Sequence, residues 1–362
     1  MFSQVKVLVV DDSAFMRKVI TDLLETDPVL KVVGTARNGE DALKKIHELK
    51  PDVVTLDVEM PVMDGLVTLE KIMQEKPLPV IMLSSLTQSG TEITIKALQR
   101  GAVDFIPKPS GTISLDLAKV KEELINKVKI AATVKVYQTF IREPGRIPQK
   151  AFYSTAPTVP APTAPKKLVL IGTSTGGPKA LNEILPRLPK DIPAAVIIVQ
   201  HMPPGFTRSL AERLDQISEI RVKEAEDQEK VISGTAYIAP GDYHLLVERV
   251  SPQQKDPLLR LSKDPPVNGH RPSVDVMMQS AARANGWELI GVILTGMGHD
   301  GREGIRAIKE KNAKVIAEDE TTAVVFGMPR AVIEAKLADY ILPLPSVASE
   351  IIHLLNKECK GR

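Results

Sequence analysis

The chain has few of the features that mark several large classes of protein. It carries one cysteine, Cys359, so a disulfide framework within the chain and a cysteine-rich zinc site are both excluded. No apolar run reaches the roughly 20 residues that a membrane-spanning helix needs. The N-terminus passes straight into a strand pattern, without the basic and apolar segments of a cleavable signal. We therefore expect a cytoplasmic protein that does not insert directly into a membrane.

An excess of charge of one sign is also missing. The 47 basic and 45 acidic side chains leave a formal charge of +2, too small to favour nucleic acid or an anionic membrane surface as a partner. Hydrophobic residues make up 43% and charged residues 25% of the 362 positions, as in ordinary globular proteins. This length indicates two domains or one large one. Cys359 is left as an alternative nucleophile, although no strand-turn-helix pattern surrounds it.

A segment rich in proline, alanine and threonine, residues 143–165, divides the chain. It has neither helical nor strand periodicity, and its composition cannot bury enough apolar surface to offset the entropy of ordering it. We predict an interdomain linker there, with a long surface loop as the alternative. The predicted organisation is a domain over residues 1–125, a helix and linker over 126–166, and a second domain over 167–362.

Strand-like and helix-like patterns alternate on both sides of this segment. Before it, strands are predicted at Val5–Val10, Val53–Leu56, Val80–Leu83 and Val103–Ile106, and helices at Ala14–Leu24, Gly39–Glu48, Glu92–Gln99 and from Leu115 towards Val134. After it, strands are predicted at Leu168–Ile171, Ala195–Val199, Leu289–Leu294 and Lys314–Ala317, and helices at Lys179–Leu188 and Gly304–Lys311. Such alternation predicts the α/β class, with two doubly wound parallel-sheet domains.

Polar residues follow four strands of the first domain. Asp11 and Asp12 come after the first, Asp57 after the second, Ser84 after the third and Lys108 after the fourth. Ligands of open α/β sheets bind at the carboxyl ends of the strands, so these side chains are expected to converge. Neighbouring carboxylates raise each other's pKa, and a bound divalent cation removes that repulsion. Oxygen ligands with waters suit Mg²⁺, which we therefore expect in this domain.

This group of residues indicates phosphoryl transfer. Asp57 is the candidate nucleophile, while Mg²⁺, Lys108 and the Ser84 hydroxyl are positioned to neutralise charge on the transferring oxygens. Two less specific interpretations stay open. Asp12 is also suited to cap the helix that starts near Ser13, and the lysine before a proline is also typical of a solvated loop.

The set of acidic, hydroxyl and lysine residues at four strand ends resembles that of the response-regulator receiver family, which has a flavodoxin-like fold, and the resemblance covers residues 3–125. The resemblance implies that Asp57 is the phosphorylation site. It implies the following metal ligands: Asp11, Asp12, Asp57 and the backbone carbonyl of Glu59. It implies three switch residues: the hydroxyl of Ser84, the phosphate-pairing Lys108 and the aromatic Phe105. Many receivers have tyrosine at the position of Phe105, so a switch there depends on the ring rather than on a hydroxyl.

The second domain opens with a strand, a glycine turn and a helix. The segment Gly172–Gly176 fits G-x-S-x-G, the pattern of a nucleophile elbow, and places Ser174 near a helix N-terminus. The helix dipole and free N–H groups there favour developing negative charge. Ser174 is therefore a candidate nucleophile. The alternative is a glycine-rich turn whose serine only caps the helix at Pro178.

Two further strand ends supply a histidine and an aspartate. His201 follows one long apolar strand, and Asp300 lies just after another. With Ser174 on a neighbouring strand end, His201 is the candidate general base and Asp300 the group that orients it. A structural role for His201 stays open. His299 is a rival base, but adjacent residues seldom face each other well enough for it to pair with Asp300.

The loop Gly296–Gly301 also fits G-x-G-x-x-G, the dinucleotide-binding pattern. Against a dehydrogenase, Asp300 would repel a pyrophosphate, and the motif lies late in the domain. In favour of a dehydrogenase, Glu318 or Asp319 could serve as the acid that binds the ribose.

Five segments together resemble the CheB methylesterase family of chemotaxis enzymes, with a Rossmann-like hydrolase domain: IGTSTGGPKAL, QHMPPGFTRSLAERL, YIAPGDYHL, HRPSVDVMM and LTGMGHDG. With the receiver, the resemblance covers nearly the whole chain. It implies a catalytic triad of Ser174, His201 and Asp300, and an oxyanion site formed by the backbone N–H of Met297 with help from Thr175. No cofactor is implied for the esterase chemistry.

The resemblance also implies partners. The substrates are glutamyl methyl esters on methyl-accepting chemotaxis receptors, hydrolysed to glutamate and methanol, and many relatives deamidate receptor glutamines. The histidine kinase CheA supplies the phosphoryl group, and phosphorylation relieves obstruction of the active site by the receiver. Two other function classes stay open, a receiver-controlled binding module with an inactive hydrolase fold and a serine peptidase.

Four residues near these motifs have two interpretations each. His270 and Arg271 are candidates to orient the receptor backbone or a glutamate, or Arg271 pairs with a structural carboxylate. Met202 and Phe206 line the cleft or belong to the core.

Overall fold

The computed structural model describes residues 4–85, 87–108, 115–134, 136, 164–249 and 256–357. The chain divides into two compact units, Met1–Glu143 and Pro144–Arg362, here called the N-terminal and C-terminal units. Nearly all of the predicted linker lies outside the described residues, and so does Cys359. No helix within the described ranges has both the length and the apolar character that crossing a membrane requires.

The N-terminal unit is a five-stranded parallel sheet with helices between its strands. The strands are Val5–Val10 (β1), Leu30–Ala36 (β2), Val53–Asp57 (β3), Val80–Ser84 (β4) and Asp104–Pro107 (β5). The helices are Ala14–Leu24 (α1), Gly39–Leu49 (α2), Gly65–Glu75 (α3), Gln88–Gln99 (α4) and Leu115–Ala131 (α5). The strand order is β2-β1-β3-β4-β5, so the winding direction reverses between β1 and β3. A crevice is expected at the carboxyl ends of these two strands.

Side chains that accept hydrogen bonds from the first turn start the first four of these helices. The capping residues are Ser13, Asn38, Asp64 and Thr87. At α1 the cap is Ser13, whose hydroxyl accepts the N–H of Met16. The interpretation of Asp12 as the helix cap is therefore wrong, and the exposed Asp12 carboxylate is left for another role.

Helix α5 is tied to the rest of the N-terminal unit by two lysines. Lys127 Nζ donates to the carbonyl of Phe105 at 2.8 Å and pairs with Asp104 at 3.3 Å. Lys129 pairs with Asp27 at 3.0 Å. The C-terminal half of this helix therefore packs as part of the N-terminal unit.

The C-terminal unit is built on a seven-stranded sheet. Its strands and those of a small second sheet are Lys167–Thr173 (β6), Ala194–Gln200 (β7), Arg221–Glu224 (β8), Glu229–Lys230 (β9), Thr235–Ile238 (β10), His244–Arg249 (β11), Pro257–Ser262 (β12), Glu288–Ile293 (β13), Lys314–Glu318 (β14) and Tyr340–Leu342 (β15). The helices are Gly177–Ile184 (α6), Phe206–Ile217 (α7), Val274–Ala284 (α8), Arg302–Lys309 (α9), Met328–Glu334 (α10) and Leu344–Asn356 (α11), with a 3₁₀ turn at Leu185–Arg187.

The large sheet has the order β15-β14-β13-β6-β7-β10-β8, and all of its strand pairs are parallel. Strands β6 and β7 lie near its centre and are almost completely buried, as expected for a parallel sheet covered on both faces. The winding direction reverses between β13 and β6, which places the expected ligand crevice at their carboxyl ends. The smaller sheet, β11-β12-β9, is antiparallel.

Candidate active site and acidic cluster

The predicted acidic residues of the N-terminal unit do converge. Ligand oxygens of Asp11, Asp12 and Asp57 all lie within 4.8 Å of one another. Lys108 Nζ lies 2.9 Å from Asp11 Oδ2 and 2.7 Å from Asp57 Oδ2. These two oxygens are buried, and neither receives an aligned hydrogen bond from a described residue. Three carboxylates this close together offer the oxygen ligands that a hard cation such as Mg²⁺ prefers, so the cluster is able to hold a metal ion.

Burial and like charge perturb the carboxyl group at the centre of this cluster. Burial raises the pKa of Asp57 to about 6, repulsion from Asp11 adds to the rise, and Lys108 opposes it. Burial alone would lower the pKa of Lys108, but its contacts with the two carboxylates raise it above its ordinary value. An ammonium held between two carboxylates leaves net negative charge here, which a divalent cation would neutralise.

The remaining receiver residues are arranged less directly around Asp57. The backbone N–H of Glu59 donates to Asp57 Oδ1 at 3.3 Å. The Ser84 hydroxyl is bonded towards α4, where it accepts from Thr94 Oγ1 at 2.7 Å and lies 3.2 Å from the carbonyl of Gly90. The structure therefore places Ser84 at the predicted strand end, with its hydroxyl engaged by α4.

Phe105 is buried within the N-terminal unit. Its side chain is 2% exposed, and Lys127 Nζ lies 5.3 Å from the centre of its ring. This ammonium lies over the ring and also bonds the Phe105 carbonyl, so α5 restrains both the ring and the strand that carries it.

In the C-terminal unit, Ser174 and His201 follow neighbouring strands. Thr173, the last residue of β6, is paired with Gln200, the last residue of β7, so the next residue of each strand lies beside the other. The N–H of His201 donates to the Thr173 carbonyl at 3.2 Å, and Gln200 Nε2 donates to the Ser174 carbonyl at 3.0 Å. Backbone and side chain together fix the nucleophile and base candidates next to each other.

The local backbone at Ser174 is a turn into a helix. Gly176 caps α6 with a φ of 81°, a conformation that favours glycine, and the cap has no side-chain hydrogen bond. Ser174 is therefore not the helix cap, and that alternative is wrong. On the other side, Gly296 allows close approach, because a Cβ there would lie 2.9 Å from Ser174 Cβ.

His201 and Asp300 form a buried pair. His201 Nε2 lies 2.8 Å from Asp300 Oδ2, and their side chains are 6% and 1% exposed. Because Nε2 is engaged by the carboxylate, Nδ1 is the ring nitrogen left for a substrate or a nucleophile. Nδ1 is buried and has no hydrogen-bond partner among the described residues. His299, the rival base, is exposed and its neighbour Asp300 faces His201.

Asp300 is held by the N-terminus of α8. Its Oδ1 accepts from Ser273 Oγ at 2.9 Å and from the N–H of Asp275 at 3.0 Å, while Oδ2 also accepts from the N–H of Val274 at 2.7 Å. Burial alone would raise the pKa of Asp300, but the contact with His201 and the helix amides hold it well below its usual range. The carboxyl group is thus ionised and fixed at the pH of ordinary function.

The histidine ring is also packed on its face. The ring of His270 stacks on that of His201, with centroids 3.9 Å apart and planes 9° from parallel. Arg271 bonds Asp242 through Nε at 3.1 Å and the carbonyl of Lys263 at 3.0 Å. Arg271 therefore pairs with a carboxylate of the C-terminal unit, as one of its two interpretations predicts.

The loop after β13 supplies the predicted oxyanion donor. Met297 follows Gly296, which touches Ser174, and its N–H is used in no hydrogen bond among the described residues. Thr175 is buried, and its carbonyl accepts from Thr295 Oγ1 at 2.9 Å. Met202 and Phe206 are 5% and 0% exposed, so both belong to the core.

The two candidates for a ribose-binding acid, Glu318 and Asp319, accept hydrogen bonds from nearby residues of the chain. Glu318 is buried, and its carboxylate accepts from the N–H of Thr295 at 2.8 Å and from Thr322 Oγ1 at 3.1 Å. Burial raises its pKa. Asp319 accepts from the N–H of Thr321 at 2.9 Å.

Two residues that contact the site did not emerge from the sequence analysis, Ser273 and Asp275. A serine directly before an apolar helical run, with an acid in the first turn, is typical of a helix N-terminus. The sequence therefore indicates that a helix begins here. It does not indicate that this helix end contacts Asp300, because that contact depends on long-range packing.

Comparison with known proteins identifies the family. Residues 169–351 match the family model described as CheB methylesterase, and residues 7–118 match the response regulator receiver domain. The chain belongs to the CheB methylesterase family. The expectations of a receiver domain, of the two-domain α/β fold and of an enzyme of this class are thereby confirmed.

Relatives that match nearly the whole chain, and a solved structure, support the assignment to this family. A "Protein-glutamate methylesterase/protein-glutamine glutaminase 1" of Syntrophomonas wolfei is 52% identical over 355 residues, 97% of this chain and 99% of the relative. A protein-glutamate methylesterase/protein-glutamine glutaminase of Pyrococcus horikoshii is 48% identical, over 96% of this chain and 93% of the relative. The crystal structure of the Thermotoga maritima CheB methylesterase catalytic domain matches with a TM-score of 0.50 and 49% identity, covering 53% of this chain and all of that one.

Proposed function

We propose that this CheB family member hydrolyses glutamate methyl esters on methyl-accepting chemotaxis receptors through Ser174, His201 and Asp300. The observation that carries the proposal is the orientation of one imidazole. Nε2 of His201 is bonded to the ionised Asp300, and its buried Nδ1 is left without a partner next to the residue that follows β6. A base in this state is ready to take a proton from a serine hydroxyl.

The reaction follows in two steps. Ser174 Oγ attacks the ester carbonyl carbon while its proton passes to His201 Nδ1, and the oxyanion formed accepts the N–H of Met297, with help from Thr175. The carbon–oxygen bond to the methoxy group then breaks, and His201 returns the proton to the leaving methanol. His201 next takes a proton from water, whose oxygen attacks the acyl carbon. The bond from this carbon to Ser174 Oγ then breaks, His201 returns the proton to Oγ, and glutamate leaves.

The charges around the site favour this direction of proton transfer. Asp300 stays ionised throughout and stabilises the imidazolium that forms on His201. Ser174 stands just before α6, whose N-terminal dipole favours negative charge on the tetrahedral intermediate. Stacking on His270 restricts rotation of the base.

The same site is suited to amides. A receptor glutamine would form the same acyl-enzyme, with ammonia in place of methanol as the leaving group. The names of the relatives from Syntrophomonas wolfei and Pyrococcus horikoshii include glutaminase activity, which supports including deamidation in the proposal.

Control of this activity is proposed to reside in the N-terminal unit. The Asp57 carboxylate would accept a phosphoryl group from the kinase CheA. Mg²⁺ would be held by Asp11, Asp12, Asp57 and the Glu59 carbonyl, a proposal that the closeness of the three carboxylates supports, and it would supply charge neutralisation at the transferring oxygens. Lys108 would pair with the phosphoryl oxygens, and Ser84 would turn from α4 towards them, with Phe105 as the aromatic member of the switch.

In this proposal the protein adjusts receptor methylation during chemotactic adaptation, in the cytoplasm. The receiver domain over residues 1–125 obstructs the catalytic domain over 167–362 until Asp57 is phosphorylated. Within the predicted connection 126–166, the residues up to Ala131 form the end of α5 and pack with the N-terminal unit, and we propose that the rest is the linker.

The test is release of methanol from methylated receptor membranes. Ser174→Ala is expected to lower the rate by at least roughly 10³-fold, because it removes the nucleophile. Ser349→Ala, which changes an exposed serine of α11, serves as the matched control and is expected to keep the wild-type rate. Equal rates for Ser174→Ala and wild type would reject the proposal.

The assay also separates the two other function classes. A binding module with an inactive hydrolase fold would release no methanol at all. A serine peptidase would reduce the mass of the receptor protein itself.

A further inference from the structure

Two helices of the C-terminal unit exchange capping carboxylates. Asp300, which lies just before α9, accepts the first amides of α8, as described above. In return, Asp275 in the first turn of α8 caps α9. Its Oδ1 accepts from the N–H of Gly301 at 2.9 Å and from the N–H of Gly304 at 2.7 Å. Each carboxylate thus fixes the backbone that carries the other.

The backbone between the two caps has little freedom. Gly301 has a φ of 100°, and a Cβ there would lie 2.7 Å from Ile293 Cδ1. Its N–H, one residue after Asp300, is held by Asp275. The position of the Asp300 carboxylate therefore depends on the hydrogen bonds that Asp275 makes.

The carboxyl group of Asp275 is buried close to that of Asp300, which makes its ionised form costly. It is 3% exposed, and burial together with repulsion from Asp300 raises its pKa to about 6. Its Oδ2 accepts from Asn268 Nδ2 at 3.3 Å. Asn268 lies on the turn that carries His270, so Asp275 also connects to the ring stacked on the base.

We propose that Asp275 is a positioning residue for the hydrolytic reaction, which holds the Asp300 carboxylate on Nε2 of His201 by capping α9. This inference rests on the proposed function. Asp275 touches neither substrate nor nucleophile; its effect on catalysis passes through Gly301 and Asp300.

The first test measures kcat and KM for methanol release with the full-length protein. Asp275→Ala removes both cap hydrogen bonds and is expected to lower kcat by roughly 10- to 100-fold with little change in KM, because a small displacement of the orienting group misaligns the base. Asp275→Asn keeps an oxygen that accepts both amides, so its kcat is expected to stay within about threefold of wild type.

Asp215→Ala is the matched control in the same unit. It removes a carboxylate of α7 that accepts the N–H of Val222, in the edge strand β8, at 2.8 Å. It is expected to destabilise the fold while kcat per folded molecule stays at the wild-type value. A similar fall in kcat in this control would show that Asp275 has only a structural role.

The second readout is spectroscopic and needs no turnover. In protein labelled with ¹⁵N-histidine, the Nε2 proton of His201 bonded to Asp300 is expected at low field in wild type and Asp275→Asn. In Asp275→Ala that resonance is expected to shift upfield or to broaden. Should the alanine variant not fold, Asp275→Ser, which keeps a shorter acceptor, is expected to show the same two changes.

Wild-type kcat together with an unshifted His201 resonance in Asp275→Ala, or in Asp275→Ser if that one alone folds, overturns the inference. The Ser174→Ala variant tests the proposed function separately from the role of Asp275. If Ser174→Ala is inactive while Asp275→Ala equals wild type, only the role of Asp275 is lost, whereas an active Ser174→Ala removes the proposed function itself.

Discussion

Burial beside a second carboxylate makes the ionised form of Asp57 costly. The side chain is 2% exposed beside Asp11, and its pKa is raised to about 6 from an ordinary value of 3.8. Between these two pH values the folded protein binds more protons at Asp57 than the unfolded chain does. The contribution of Asp57 to stability is therefore greatest below about pH 4, falls as the pH rises through 6 and is lost above that pH.

The first prediction follows from this sign. Asp57→Asn is expected to stabilise the N-terminal unit by about 1 to 3 kcal/mol at pH 7.5 without Mg²⁺, and by almost nothing near pH 4. Urea unfolding followed by far-UV circular dichroism measures it, while fluorescence of Trp287, the single tryptophan, reports the C-terminal unit separately. Asp22→Asn, an exposed carboxylate, is the control, and a gain for Asp57→Asn that is equal at both pH values would contradict the account.

A metal ion should reverse this cost. Mg²⁺ is expected to raise the unfolding temperature of the N-terminal unit, because it binds the folded cluster and not the unfolded chain, and a chelator should reverse the gain. Asp12→Asn removes the exposed candidate ligand, so a higher Mg²⁺ concentration should be needed for the same rise in unfolding temperature. A wild-type unfolding temperature that does not respond to Mg²⁺ would count against the metal site.

Secondary-structure elements differ in how well the sequence predicts them. The buried central strands β6 and β7 were predicted within one or two residues, because an uninterrupted apolar run leaves little choice. Strand β2 was not predicted, since it lies at the edge of its sheet and its residues are mostly half-buried. The short antiparallel sheet was missed as well, because its pairing is long-range.

Helix ends follow local chemistry that periodicity overlooks. The helix predicted at Lys179–Leu188 begins at Gly177 and ends at Ile184, after which a 3₁₀ turn includes Pro186. Proline cannot continue an α-helix, because it lacks the N–H and its ring clashes with the preceding turn. Gly301 caps α9, which begins at Arg302, two residues before the predicted start at Gly304.

At this scale the start of α8 gives a prediction. Ser273 caps the helix and also donates to Asp300, so Ser273→Ala is expected to lower the free energy of unfolding by about 0.5 to 2 kcal/mol. Urea unfolding followed by Trp287 fluorescence measures the change, with Ser349→Ala on the exposed surface as control. An unchanged midpoint for Ser273→Ala would show that the cap contributes nothing.

For the whole molecule, topology explains which site residues the sequence revealed. A parallel sheet brings the carboxyl ends of its strands to one edge, so the places of Ser174, His201 and Asp300 after three strands predict that these candidate residues lie close together. The choice of ring nitrogen, the stacking of His270 and the cap from Asp275 depend on side-chain geometry between distant segments. No spacing in the chain encodes those contacts.

The proposed control by phosphorylation is a property of the whole chain. Acetyl phosphate is expected to stimulate methanol release by the wild-type protein, and Asp57→Asn should reduce that stimulation to a ratio of about one, because it removes the acceptor carboxylate. Asp22→Asn should be stimulated like wild type. Stimulation of Asp57→Asn by acetyl phosphate would mean that another residue accepts the phosphoryl group.

The central claim is that Ser174 and His201 form one catalytic unit, and a double-mutant comparison of methanol release tests it most directly. Ser174→Ala and His201→Ala should each lower kcat by roughly 10³-fold or more, and the double variant should lose no more than either alone, because the two residues act together. His299→Ala, which changes the exposed neighbouring histidine, should keep the wild-type rate. Losses that multiply in the double variant, or a His201→Ala variant as active as wild type, would contradict the claim.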